Sequence, residues 1–323
     1  MNRALIKKTL LDSLWLCLAC LVTIVAFSWI RIVIVSSIEA IRFQKIANNL
    51  PDMVKRLSPV PIDDLINYPG LISFTWEEPM AYLIMAVWTI TRASDSVSGE
   101  LGRGTLEMIL SQPVSRLNYL VTHTTITLLG VAILAGGSLA GTKVGIDNAT
   151  VKVSQQSIRF QVPLFGMKLP IGAIPRQPKP VPMKSLVQTK TFVPATINYF
   201  CLGVMLTGVT TALSAVDRYR WRTIGIMVGF YVIQTVFELT GMAVESWKWM
   251  LHLTVFSVYE PVSFSTKAAK DPAFAWRFLQ TESSGYLPDL GPLGCDAVLL
   301  LFGIAGIVIA CRVFVKRDLP APL

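Results

Sequence analysis

A chain of 323 residues that is 53% hydrophobic and only 15% charged, with a mean hydropathy of +0.55, has too little polar surface to cover itself as a soluble globule. The composition therefore excludes soluble enzymes and disordered scaffolds and points to a polytopic, all-α membrane protein. The net charge of +9 is accounted for by the sidedness of a membrane protein, whose inner segments are the denser in basic residues, so no nucleic acid is needed to explain it.

Six apolar runs are long enough to cross a hydrocarbon core of about 30 Å: roughly 14–35, 72–91, 119–140, 192–216, 224–244 and 295–315. The first follows Arg3, Lys7 and Lys8, as in a secretory signal. It continues through "LVTIVAFSWIRIVIV" without a small-residue cleavage site. It reads as an uncleaved anchor behind a short basic amphipathic segment lying at the membrane surface. Glu77 and Glu78 open the second span near the outer face, where water reaches them. Gly130, Gly136, Gly137 and Gly141 in the third permit close helix approach. The only acid deep in a run is Glu238, in the fifth. An ionisable side chain there is costly, so it marks either a substrate pathway or a neutral or paired structural carboxyl.

Six spans put both termini on one side. With the termini in the cytoplasm, the inner segments hold 12 basic residues in about 57 positions, against 16 in about 136 outside. The tight "DRYRWR" turn at 217–222 weighs most, because short loops obey the charge rule best. The opposing feature is the external loop 142–191, with eight basic residues and one acid, Asp147. Within it, 150–162 alternates polar and apolar residues about a polar turn at 154–157 and reads as a β-hairpin. The proline-rich 174–184 reads as an extended strap. The external segment 245–294 is apolar around 247–264. His252, Glu260 and Pro261 interrupt it, which favours interfacial helices anchored by Trp247 and Trp249 over a seventh span.

Catalytic and metal chemistry find little support. All five cysteines lie in or beside apolar runs, and the Cys17/Cys20 pair lacks a second motif, so packing is the simpler role. His123 and His252 fit no metalloprotease pattern, and His123 reads as a hydrogen-bonded interface residue. No G-x-S-x-G elbow occurs.

The informative stretch is "GELGRGTLEMILSQPVSR", 99–116, within a predicted cytoplasmic segment 92–118. Its glycine spacing imitates a phosphate loop, but the residue after Gly104 is Thr105 instead of lysine, and a membrane helix precedes it instead of a strand. The glycines are expected to break the end of the second span. Thr105 is then expected to cap a short helix, with Glu107 favourable in its first turn. Leu106, Ile109 and Leu110 form an apolar stripe, and Pro113 ends the helix. Such a helix suits either a groove in a partner or the lipid headgroup surface.

The same stretch resembles the signature segment of ABC-2-type permeases, in which the second span is followed by Glu, then Gly-Thr-Leu, apolar positions, Pro and Ser-Arg. The matching residues are Glu100, Gly104, Thr105, Leu106, Leu110, Pro113, Ser115 and Arg116. The ending "FVKRDLPAPL" and the six-span plan are similar as well, whereas the loop 142–191 is longer than is usual there. The resemblance implies a multi-pass subunit of a bacterial-type cell membrane. Two copies, a homodimer in the lipid bilayer, would pair with separate ATPase subunits that hold ATP and Mg. This chain itself would carry no cofactor and no enzyme activity. Glu100, Gly104, Thr105, Leu106, Ile109, Leu110, Pro113 and Arg116 would form the coupling contact, and export is the expected direction. The rival readings are an ATP-independent transporter or channel, and an intramembrane enzyme.

Overall fold

In the computed structural model the described residues are 3–37, 67–153, 158–164, 167–174, 179–280 and 290–317. They form mainly helices: α1 Arg3–Ser37, α2 Tyr68–Ser73, α3 Pro79–Ser94, α4 Thr105–Leu110, α5 Arg116–Asn148, α6 Val193–Val216, α7 Arg220–Ala243, α8 Pro261–Lys270 and α9 Pro292–Lys316. Among the described residues five helices are long and apolar enough to cross a membrane: α1, α5, α6 with its 3₁₀ lead-in from Thr189, α7 and α9. They coincide with five of the six apolar runs.

The second run departs from expectation. Pro79 disfavours helix at the residue before it, and Glu78 is extended at φ −67°, ψ 142°. The run therefore divides into α2, a 3₁₀ turn Phe74–Trp76, and α3. Helix α3 has only 16 residues. It continues through a π-helix Asp95–Gly99 and a helical turn Glu100–Gly102, giving roughly 35 Å of helical path. The amino-terminal basic segment is also not a separate surface helix, because α1 runs unbroken for 35 residues from Arg3.

Small residues bring the helices together. A Cβ on Gly208 of α6 would lie 2.0 Å from the Gly303 carbonyl oxygen of α9, and one on Gly306 would lie 2.5 Å from the Gly208 carbonyl carbon. Backbone meets backbone there, as close packing in lipid requires. Three of the four glycines singled out in the third run behave likewise. Gly130 faces the Trp88 ring, Gly137 faces Leu21 and Gly141 faces the Val25 carbonyl, whereas Gly136 faces open space. Contact between α1 and α5 continues to Gly145 against Ile32, so α5 extends to Asn148, past the expected end at 140.

Buried side-chain donors find acceptors across the bundle: Trp88 Nε1 to Thr127 O (2.9 Å), Trp76 Nε1 to Ser138 Oγ (3.0 Å) and Tyr199 OH to Ala81 O (2.7 Å). All five cysteines are free thiols, three of them buried, as packing roles require.

The strands correct one expectation. β1 (Thr150–Val153) pairs antiparallel with β4 (Lys179–Pro182), while β2 (Ile158–Leu164) pairs with β3 (Met167–Ile174). The hairpin expected within 150–162 is therefore absent: β1 and β2 do not pair, and the turn at 154–157 lies outside the described residues. The strap joins β1 because Pro180 and Pro182 alternate, which leaves residues 179 and 181 to donate to the ladder. Beyond α7 the chain forms 3₁₀ turns at Glu245–Leu253 and Val255–Ser257 before α8. No helix of spanning length occurs among the described residues of 245–280. Trp247 and Trp249 are half exposed there.

Candidate functional site

The site is built around the junction of α3 and α4. A π-helix releases backbone groups from the regular ladder, and they must be paired elsewhere when buried. Here Ser214 of α6 accepts from the Ser98 amide (3.0 Å) and donates to the Ser94 carbonyl (3.0 Å). Tyr119 of α5 donates to the Ser96 carbonyl at 2.8 Å. Ser98 Oγ lies 3.4 Å from Thr223 Oγ1 of α7. Three other helices thus hold the irregular turn in place.

Charge reinforces it. Asp95 Oδ1 accepts from Arg103 Nη1 at 2.8 Å and pairs with Arg220 Nη1 at 3.1 Å. Burial pushes the Asp95 carboxyl up, but the hydrogen bond from Arg103 and the charges of Arg220, Arg103 and Arg92 outweigh it and hold the group below the usual carboxylate range. Gly99 makes room for this pair, since a Cβ there would lie 2.4 Å from Asp95 Oδ1. Arg220 also donates to the Thr91 carbonyl at 3.2 Å, so α7 is tied to α3 through one side chain. Arg92, 6% exposed, lies beside Asp95 with Nε and Nη2 unpartnered.

The break falls at Gly104, whose φ of 72° and ψ of 4° place it in the left-handed region. Gly104, not Thr105, holds the cap position of α4. Thr105 is the first helical residue, and its hydroxyl turns back to donate to the Glu100 carboxylate. The same carboxylate pairs with Arg103 Nη2 at 3.1 Å. Glu100, 8% exposed, therefore staples the residues on both sides of Gly104 and fixes the angle at which α4 leaves.

The apolar stripe faces inward. Leu106 is 0% exposed and packs with Leu5, Val97, Tyr119, Leu120, Ala215, Ala310 and Phe314, with Ile109 and Leu110 partly buried beside it. The stripe is thus occupied by this chain's own core, and the outward face of α4 carries Met108, 71% exposed. Arg116 does not flank the stripe as a counter-charge to Glu100. It donates to the Arg317 carbonyl (2.6 Å) and the Phe314 carbonyl (3.5 Å) at the end of α9, where a cation complements the helix dipole. Pro113 is exposed between α4 and α5, and Ser115 caps α5 by accepting from the Asn118 amide at 3.2 Å.

This arrangement is no phosphate loop. Helix precedes Gly99, and the glycine lies inside the π-turn instead of a nest of free amides. His123 Nε2 lies 3.4 Å from Thr9 Oγ1, and its ring meets Tyr119 at a tilt of 42° with centroids 4.5 Å apart, the interface role expected of it. Among the described residues, no group of three His, Cys, Asp or Glu side chains is placed to hold a metal. Glu238 is separate from the junction. It lies 18 positions along α7 from Arg220, about 27 Å away. The sequence reading missed Asp95, Arg220, Tyr119 and Ser214. The "DSVSG" between an apolar run and the glycines was the available signal, since a buried acid at a span end asks for a cation. Compared with known proteins, the chain matches no family model, and no curated protein matches it either.

Proposed function

We propose that this chain is the transmembrane subunit of an ATP-binding cassette exporter and couples ATP hydrolysis on a separate subunit to substrate movement across the cell membrane. In this reading six segments cross the bilayer (α1, the second apolar run over 72–91 that ends in α3, α5, α6, α7 and α9), the π-turn and α4 lie on the cytoplasmic side with 92–118, and both termini are cytoplasmic. Two copies pair with two ATPase subunits, which hold ATP and Mg. Export is proposed because the sequence carries no feature of a binding-protein dock. The observation that carries the reading is the α3–α4 junction. A short helix leaves an apolar segment on a left-handed glycine, is stapled by Glu100 and Asp95 to helices α3 and α7, and turns Met108 outward. A push on α4 from a partner is thereby delivered to α6 through Ser214 and to α7 through Arg220. The permease-like pattern of 100–116 supplies the identity of the partner.

The test is affinity purification of the tagged chain from its own cells, with copurifying ATP hydrolysis measured on the eluate. Wild type should bring down an ATP-hydrolysing protein. Met108→Asp should lose it while the chain itself elutes normally. The chain purified alone should hydrolyse no ATP. Retention of the ATPase at wild-type yield by Met108→Asp would remove α4 as the docking element.

A further inference from the structure

A second feature is the arm between α5 and α6. Its two ladders are nested. Thr150 faces Pro182 and Val153 faces Lys179 in the outer one, while Ile158 faces Ile174 and Leu164 faces Met167 in the inner one. The chain therefore runs out and back once, as a two-stranded ribbon. Its root is fixed to the bundle: β1 packs on α1, Val151 and Met183 are buried in the core, and the Met183 amide donates to the Ala149 carbonyl at 3.0 Å. That root follows directly on α5, a helix of spanning length, so the ribbon starts at a membrane face. Beyond the root, β2 and β3 pack chiefly on each other. An isolated two-stranded ribbon is marginal in water, so this one needs a surface to lie on.

The alternation of a strand gives that surface a chemistry. Along β2, Ile158, Phe160, Val162 and Leu164 share one face, and the register places Met167, Leu169 and Ile174 of β3 on the same face. All of them are apolar. The opposite face takes Arg159, Gln161, Pro163, Lys168, Pro170 and Ala173. From 148 to 191 the chain has seven basic residues and no acid. A second copy laid on the apolar face would bring this charge against itself, whereas an anionic bilayer surface attracts it. Addition of a partner strand at the ribbon edge is disfavoured by Pro163 and Pro170, which remove edge donors. We propose that β2 and β3 form an interfacial element, with its apolar face in the headgroup region of the membrane that this chain spans, and that its cations recognise anionic phospholipid. The inference makes no use of the transport reading.

The test places the photocrosslinker p-benzoylphenylalanine at Val162 of the full chain or, as the opposite-face control, at Gln161. Each chain is reconstituted without any partner into vesicles of phosphatidylcholine, alone or mixed with phosphatidylglycerol. Lipid adducts are read by intact mass and chain-to-chain crosslinks by electrophoresis. Position 162 should give lipid adducts about fivefold or more above position 161. Phosphatidylglycerol should raise the yield at 162 by about threefold or more, and added salt should remove that rise by screening. The double variant Arg159→Gln/Lys168→Gln keeps the apolar face, so it should keep its adducts in phosphatidylcholine and lose most of the rise. Lys316→Gln, a basic residue at the end of α9, should behave as wild type. The proposal is overturned by equal lipid yields at 161 and 162, by chain-to-chain crosslinks in place of lipid adducts at 162, or by a phosphatidylglycerol effect that is absent from wild type or survives in the double variant. None of these readouts involves ATP or an ATPase, so the ribbon and the transport reading fail separately.

Discussion

Leu106 separates two accounts of the α3–α4 junction. If its side chain is consumed by the chain's own core, Leu106→Ala must weaken the isolated chain with no partner present. The leucine is fully buried in a cluster with side chains from α1, the π-turn, α5, α6 and α9, and these are held by their own helices, so the hole left behind cannot collapse. Large-to-small changes at such sites cost about 2–5 kcal/mol, and about 3 kcal/mol is expected here. Helix α4 has only six residues, too few to persist undocked, so the loss falls first on local opening. At about 1.4 kcal/mol per factor of ten, amide protection over 105–110 should drop roughly a hundredfold. Hydrogen exchange by mass spectrometry on the detergent-purified chain measures it, with Met108→Ala as the exposed control that should change nothing. Unchanged protection in Leu106→Ala would refute the inward placement of the stripe and restore a groove in a partner as its destination.

Gly104→Ala forces an L side chain into the left-handed region at a cost of about 1–2 kcal/mol, although space is open around it; a thermal-shift assay should show destabilisation, and Gly104→Asn should recover part of it. Asp95→Asn removes the negative charge shared by Arg103 and Arg220, and with both arginines partly exposed the expected loss is about 2 kcal/mol in unfolding measurements at neutral pH. Because the folded-state value for Asp95 is depressed, its contribution is present above the unfolded value of about 4 and is lost as pH falls below it. A pH series should therefore show wild type converging on Asp95→Asn in acid and diverging from it toward pH 7. For the proposed topology, a cysteine at 270 should react with an impermeant reagent on intact cells and one at 219 only after permeabilisation; labelling of 219 on intact cells would reverse the arrangement.

What was legible in the sequence follows from which forces are local. Apolar runs announce themselves by composition, and five of them coincide with helices of spanning length. The Gly102–Gly104 break was legible because no other residue enters the left-handed region so cheaply. The division of the second run at Pro79 was legible in principle, from the rule on residues preceding proline. Periodicity also revealed the 106/109/110 stripe, but a stripe specifies only that something covers it, not what. Its cover comes from residues as distant as Leu5 and Phe314, and no local pattern encodes that. The same limit hid the Asp95–Arg220 pair, 125 positions apart, and the aromatic group assembled from Tyr82, Tyr231 and Phe256.

These distant pairings change what α4 is mechanically. A stripe held out for a partner would make α4 a plug, engaged or released with little effect on the spans. A stripe buried at home, with Glu100 and Asp95 locking its root, makes it a rigid arm whose displacement must be shared by every helix it is fastened to. Helix α7 is one of these, anchored at its first residue by Arg220. The same helix carries Tyr231 and Gln234 at a narrow cleft that it shares with Tyr82 of α3 and with α6, and few of its side chains are buried. It is therefore fastened at one end and lightly packed along its length. A rotation of α7 about that anchor would change the separation of Tyr231 from Tyr82, and with it the width of the cleft. The junction and the cleft thus share one structural element, which gives a force applied at Met108 a continuous route through Arg220 and along α7 to Tyr231 and Gln234.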